Sequence, residues 1–180
     1  EQLPGYMDEF GRYVRRVCRT QVQPYDLAHA NFFMSGMVAI ELKRALGVPF
    51  AITFHALGRV RRQHQGAADG FDDRRFAVEE RLMQEADAIV AECTQDERDM
   101  VSLYGADRAK IARVPCGFDP EEFWRVPDAR RLLGIAPDEV VVLQLGRMVA
   151  RKGVDDVIRA IARLEKRHGI RARLLVVGGN

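Results

Sequence analysis

Arg147 and Lys152 stand between two glycines in the stretch Gly146-Arg147-Met148-Val149-Ala150-Arg151-Lys152-Gly153. Arginine offers a planar fork of donors and lysine a mobile point charge. Held to one glycine turn, the pair suits a diphosphate. The apolar run Val140-Val141-Val142-Leu143-Gln144-Leu145 precedes the loop and reads as a buried strand of a parallel sheet. Val154, Val157, Ile158, Ile161 and Leu164 follow it at helical spacing. A loop between the carboxyl end of a strand and the start of a helix is where open α/β sheets bind ligands. The free N–H groups of the helix start also favour an anion. The alternative is a pair of solvated loop charges; the strand, the helix and the two glycines favour phosphate.

His55 ends a second apolar strand, Phe50-Ala51-Ile52-Thr53-Phe54, and opens a Leu-Gly turn. At that position a histidine either bonds a sugar hydroxyl or a phosphate, or is a capped, half-buried structural residue. The residues alone leave these two readings equal. His29 invites the same choice on thinner grounds, and His64 and His168 sit in polar surroundings that read as solvated. Gly36 stands where a helix is expected to begin, so a ligand could approach the helix start; ordinary helix-start chemistry serves as well. Arg59, Arg61 and Arg62 follow His55 closely. They could meet a phosphorylated acceptor or anionic lipid headgroups, although loop solvation is slightly favoured.

The elements that must position these groups alternate. Tyr6, Met7, Phe10, Val14, Val17 and Cys18 mark an opening helix, with Arg12, Arg15, Arg16 and Arg19 on a solvated face. A strand near Leu27-Ala28-His29 comes next, then a helix from about Gly36 to Leu46 that stops at Gly47-Val48-Pro49. Residues 58 to 72 are polar and without period, and read as a mobile loop. A helix near Asp73 to Glu85 leads to strand Ala88-Ile89-Val90-Ala91. Thr94-Gln95-Asp96-Glu97 matches a capping box for the following helix, which ends near Tyr104-Gly105. Ile111-Ala112-Arg113-Val114 is the next strand. Pro115-Cys116-Gly117-Phe118-Asp119-Pro120 reads as a turn or domain crossing, with Cys116 structural rather than nucleophilic. A short helix near Ala129 to Leu133 precedes the strand–loop–helix unit, and Leu174-Leu175-Val176-Val177 is the closing strand before Gly178-Gly179-Asn180. Alternation of this kind implies an α/β fold with parallel, doubly wound sheets.

The 180 residues suffice for one domain or pieces of two. The second group has only two strands, too few for a core of its own, and implies a fragment of a longer protein. A net charge of +2, from 28 basic and 26 acidic residues, gives no reason to expect a nucleic-acid partner. No apolar run reaches the length of a membrane span, and no secretory signal opens the chain. Cys18, Cys93 and Cys116 form neither a disulfide framework nor a metal spacing, so a cytoplasmic setting is expected.

Several stretches, taken in order, resemble the family-4 retaining glycosyltransferases of the GT-B fold. They are Asp26-Leu27-Ala28-His29-Ala30-Asn31, Met34-Ser35-Gly36, Thr53-Phe54-His55-Ala56-Leu57-Gly58, Ala88-Ile89-Val90-Ala91 with Thr94, Val114-Pro115-Cys116-Gly117-Phe118-Asp119, Gly146-Arg147 and Lys152-Gly153. The stretch after His55 is most similar to the sucrose-phosphate-synthase and mycothiol-type branches. The resemblance implies GT-B-type Rossmann-like parallel sheets. Residues 1–114 would be the later part of an N-terminal acceptor-side domain, 115–130 the crossing, and 131–180 the start of a C-terminal nucleotide-sugar domain. It implies that Gly146, Arg147, Lys152 and Gly153 hold the donor diphosphate and that His55 faces the transferred sugar as the catalytic-site histidine. His29, Gly36, Arg59 and Arg62 fall on the acceptor side. The donor would be a UDP- or GDP-sugar, with no metal and no further cofactor. The acceptor would be a sugar, a sugar phosphate or a lipid-linked molecule, with peripheral membrane contact left open.

The chain departs from the family where Asn31 replaces the second histidine of a His-x-His pattern. An N-terminal glycine-rich loop and a later Glu-x7-Glu motif are also absent, so the chain alone is expected to be inactive. Two competitors remain: a GT-B nucleotide-sugar epimerase, and a truncated nucleotide- or partner-binding remnant.

Overall fold

The computed structural model describes residues 3–179; Glu1 and Gln2, read above as part of the signal-free opening, and Asn180 of the closing turn lie outside them. The chain forms two compact units, Glu1–Phe118 and Asp119–Asn180.

In the first unit the strands are β1 (Ala28–Asn31), β2 (Phe50–Thr53), β3 (Ala88–Ala91) and β4 (Ile111–Arg113), all parallel and paired in the order β1-β2-β3-β4. The helices are α1 (Met7–Thr20), α2 (Phe32–Leu46), α3 (Gly58–Gln65), α4 (Arg74–Glu85) and α5 (Thr94–Tyr104). The strand order never reverses, so the expected double winding is not seen within these four strands; every crossover steps to the next strand on the same side. Phe50, Ile52, Phe54, Leu82, Met83 and Ile89 are fully buried and form the centre of the core. Each such side chain contributes about 1.5–3 kcal/mol by leaving water.

Two expectations about this unit are corrected. Helix α2 begins at Phe32, not near Gly36, so Gly36 lies inside the helix. There it is a packing residue: a Cβ would stand 2.6 Å from Leu82 Cδ2 and 2.8 Å from Ile52 Cδ1. Residues 58 to 65, expected as loop, are helix α3. The helix has little apolar periodicity of its own, and its start is secured from elsewhere in the chain. The Glu79 carboxylate accepts the Gly58 N–H, at 3.1 and 2.9 Å from its two oxygens, and Tyr104 Oη accepts the Arg59 N–H at 2.7 Å. Those bonds satisfy donors that a helix start leaves free. The box expected at Thr94 is also shifted by one residue. Cys93 is the N-cap of α5; its Sγ accepts the Asp96 N–H, and the Asp96 carboxylate accepts the Glu92 N–H at 3.1 Å. Glu97 instead pairs with Arg108 and Arg113.

The second unit holds a short helix α6 (Ala129–Leu132), β5 (Val140–Leu145), α7 (Val154–His168) and β6 (Ala172–Val177). β5 and β6 pair in parallel over their full lengths. The buried strand expected at Val140–Leu145 is not buried: Leu143 is 57% and Leu145 69% exposed, and Ile135 is the one buried hydrophobic among this unit's described residues. Two strands and one long helix cannot cover both faces of a sheet. Among the described residues no helix is long and apolar enough to cross a membrane.

Candidate functional site

Parallel pairing brings the carboxyl ends of β1, β2 and β3 to one edge. His55 sits just beyond β2 with φ +57°, a left-handed backbone that costs a non-glycine residue about 1–3 kcal/mol. Its side chain is 47% exposed and spans two neighbours: Nδ1 lies 3.0 Å from Glu92 Oε1, beyond β3, and Nε2 lies 2.9 Å from Asn31 Oδ1, at the end of β1. The Cys116 thiol donates to the same Glu92 oxygen at 3.0 Å. That thiol bond, aided by His55 and opposed by burial, holds the Glu92 carboxyl below the usual glutamate range, and the carboxylate in turn pushes the Cys116 thiol up. His29 is exposed and bonds Thr53 Oγ1 through Nε2 at 2.9 Å, so it joins β1 to β2.

A cavity of about 790 Å³ opens in the same unit, with Phe33, Phe71, Arg74, Arg75 and Val78 in its wall. Arg75 is 3% exposed. Its Nε donates to Glu79 Oε1 at 2.6 Å and its Nη2 to the Ala56 carbonyl at 2.6 Å. The guanidinium rests against the rings of Phe32, Phe33 and Phe71 at 5.0, 4.7 and 4.5 Å from their centroids. Its Nη1 is buried and has no acceptor among the described residues. Glu79 is wholly buried and accepts from Arg75, Gly58 N–H and the Tyr104 hydroxyl. Its bond and the desolvation around it push the Tyr104 phenol far up, desolvation first. Arg75 and Glu79 thus clasp the turn His55-Ala56-Leu57-Gly58 from both ends, through the Ala56 carbonyl and the Gly58 N–H.

The basic residues after His55 are half-buried and each is ion-paired. Arg59 bonds the Leu103 carbonyl and Glu80 and lies over the Tyr104 ring. Arg61 pairs with the buried Asp69 at 3.1 Å, and Arg62 with Asp73 at 2.7 Å and with the Phe71 carbonyl at 3.0 Å. Their guanidinium groups tie α3 to α4, α5 and the connecting loop; among the described residues, Arg62 Nε and Arg75 Nη1 are the buried guanidinium nitrogens without a hydrogen-bond partner.

In the second unit, the loop expected to hold phosphate leaves β5 at Gly146 (φ +153°), whose N–H donates to the Val177 carbonyl at 3.0 Å. A Cβ at Gly178 would fall on the Gly146 carbonyl, so the two strand ends meet only because residue 178 is glycine. Gln144 Nε2 donates to the Lys152 carbonyl at 3.1 Å, and Gly153 (φ +64°) turns the chain into α7. Arg147 and Lys152 are exposed, and among the described residues neither forms an ion pair. The first turn of α7 carries Asp155 and Asp156, both paired with Arg159.

Sequence reading overlooked Arg75, Glu79 and Glu92. A signal for the first two existed: they are charged, one helical turn apart, on the stripe that continues to the buried Leu82 and Met83. Glu92 lay one residue beyond a strand end, which is a ligand-side position in a parallel sheet.

Residues 1–122 match the family described as Glycosyltransferase Family 4, and residues 126–180 the family described as Glycosyl transferases group 1. The D-inositol 3-phosphate glycosyltransferase of Actinosynnema mirum is 37% identical over 186 residues, covering 99% of this chain and 45% of that protein. The enzyme of the same name from Nocardia farcinica is 35% identical, covering 99% and 41%. The sucrose-phosphate synthase of Thermosynechococcus elongatus superposes with a TM-score of 0.87 and 28% identity, covering 100% of this chain and 43% of that one. The Anabaena protein HepE, solved with UDP and glucose, shares the fold at a TM-score of 0.70 and 18% identity, covering 96% and 42%. The chain thus spans less than half the length of these relatives. Its matches along the whole chain, with its parallel α/β architecture, show that it belongs to glycosyltransferase family 4 and has the GT-B type of fold.

Proposed function

We propose that this protein is a retaining glycosyltransferase that moves a sugar from a UDP- or GDP-sugar to a hydroxyl of a phosphorylated polyol or sugar acceptor. The observation that carries the acceptor class is Arg75: a buried guanidinium in a cavity wall, with one nitrogen lacking an acceptor. A buried cation with spare donors favours an anionic ligand group. Relatives named for inositol 3-phosphate support the same reading.

In this reading Arg147 and Lys152 hold the donor diphosphate. As the bond from the anomeric carbon to the diphosphate oxygen breaks, their positive charge stabilises the leaving oxygen, so no metal is required. The acceptor oxygen attacks the same face of the anomeric carbon, and its proton passes to the departing phosphate oxygen. His55 bonds the transferred sugar. The reaction is placed in the cytoplasm; the three free cysteines are compatible with a reducing compartment.

The test is release of nucleoside diphosphate from a panel of UDP- and GDP-sugars, with and without inositol phosphates and sugar phosphates, using the full-length gene product. Acceptor-dependent release supports the proposal. Acceptor-independent turnover would favour hydrolysis or epimerisation, and no turnover with any donor would favour a binding remnant. Lys152→Ala should lower kcat/KM by about 100-fold, since it withdraws charge from the leaving group; a value within about twofold of the parent would remove Lys152 from this role.

A further inference from the structure

We propose that Glu92 is the positioning residue of His55, fixing which ring nitrogen carries the proton and which face of the ring meets the sugar; this rests on the glycosyltransferase reading above. Glu92 extends from the end of β3 and His55 from the end of β2, so the contact exists only once the two strands are paired. An ionised carboxylate only accepts hydrogen bonds. At 3.0 Å from Glu92 Oε1, Nδ1 must therefore carry the proton. That leaves Nε2 as the nitrogen that can change partner. It lies 2.9 Å from the end of the Asn31 side-chain amide; with the proton on Nδ1, Nε2 accepts, so the amide turns its NH2 toward the ring, and a sugar hydroxyl can take over that donation without stranding a charge.

Two features make the arrangement built rather than incidental. The Cys116 thiol donates to the same carboxylate oxygen, and the Glu92 backbone N–H is held by Asp96. Glu92 is thereby anchored from two further segments of the unit. His55 itself has a positive φ, which directs its side chain away from the path the strand would otherwise give it. Backbone strain at one residue, a carboxylate on one side and an amide on the other leave the imidazole a single orientation. Cys116 gains a role here as the donor that keeps Glu92 turned toward His55.

The experiment uses the full-length enzyme with ¹⁵N-labelled histidine, at a pH of about 8.5 where a free imidazole is neutral. The His55 signal is identified by its loss in His55→Ala. Wild type should show the Nδ1–H tautomer. Glu92→Ala should shift the ring toward Nε2–H and lower kcat by about tenfold or more, with KM for the donor less affected. Glu92→Gln keeps an acceptor oxygen for Nδ1–H and should restore most of the tautomer signal and part of kcat. Glu92→Ala combined with His55→Ala should be no slower than His55→Ala alone, because the two residues act through one group. An unchanged His55 spectrum in both Glu92 variants would overturn the proposal, as would fully additive losses in the double variant. If Glu92→Ala does not fold, Glu92→Met, close in volume and without a carboxylate acceptor, takes its place with the same expected and overturning spectra. If wild type transfers no sugar, the glycosyltransferase reading fails, while the spectra still show whether Glu92 sets the tautomer.

Discussion

Glu79→Leu tests whether the buried charges of α4 act as one unit. Glu79 receives three donors: Arg75 Nε at 2.6 Å, the Gly58 N–H and the Tyr104 hydroxyl. Both Glu79 and Arg75 side chains are almost wholly enclosed, at 0% and 2% exposure. Removing one partner of such a pair leaves an uncompensated buried charge and costs about 3–5 kcal/mol. With a urea dependence of about 2 kcal/mol per molar, the midpoint should fall by about 2 M. Arg75→Met together with Glu79→Leu removes both charges. The Gly58 N–H and the Tyr104 hydroxyl lose Glu79 in both variants; what the second substitution adds is the loss of the Ala56 carbonyl's donor, about 1–3 kcal/mol, less than the stranded guanidinium costs. The double variant should therefore be more stable than Glu79→Leu alone, although it carries one more substitution. Its function should not recover with its stability. Loss of the guanidinium removes a charged hydrogen bond to the proposed acceptor phosphate, about 1.5–3 kcal/mol, so KM for the acceptor should rise about tenfold to a hundredfold. Urea unfolding of the full-length enzyme and acceptor titration read the two effects separately. A double variant less stable than Glu79→Leu would refute the buried-pair argument, and an unchanged acceptor KM would refute the anion role of Arg75.

Gly36→Val places a branched side chain against Leu82 and Ile52, both fully buried; it should cost about 1–3 kcal/mol of stability, and a melting temperature equal to wild type would contradict the close packing of α2 on α4 and β2. Asp87 accepts from Lys43 at 2.8 Å and from the Phe50 N–H at 2.9 Å, and the lysine bond foremost holds its carboxyl below the ordinary value of 3.8. A lowered folded value means stability that is present above that ordinary value and lost as pH falls through the lowered one. Asp87→Asn should therefore be less stable than wild type at neutral pH, and the gap should close below about pH 4; melting curves from pH 7 to 3 read this directly, and a constant gap would oppose it.

The alternation of strands and helices, the start of β2, the termini of β3 and β5, and the glycine-bracketed basic loop were legible from residue order, because periodicity and glycine placement are local properties. The strand at Val140–Leu145 was placed to the residue, yet its burial was misjudged, since apolar content states only what a strand can bury and not what is present to cover it. Helix α3 was read as loop because its start is held by Glu79 and Tyr104, residues distant in the chain. The same distance hid the roles of Arg59 and Arg62, whose ion partners arrive only when α4, α5 and the 66–73 segment fold against α3. His55 was identifiable as a strand-end histidine, but its environment was not. Glu92, Asn31 and Cys116 converge on it from three other segments, and only the parallel registration of β1, β2 and β3 brings those segments to one edge. Sequence by itself thus determined the elements and the family likeness, through local pattern. The tertiary structure alone decided which charges are spent on the scaffold and which keep capacity for a ligand, because a buried ion pair is defined by neighbours in space and not along the chain.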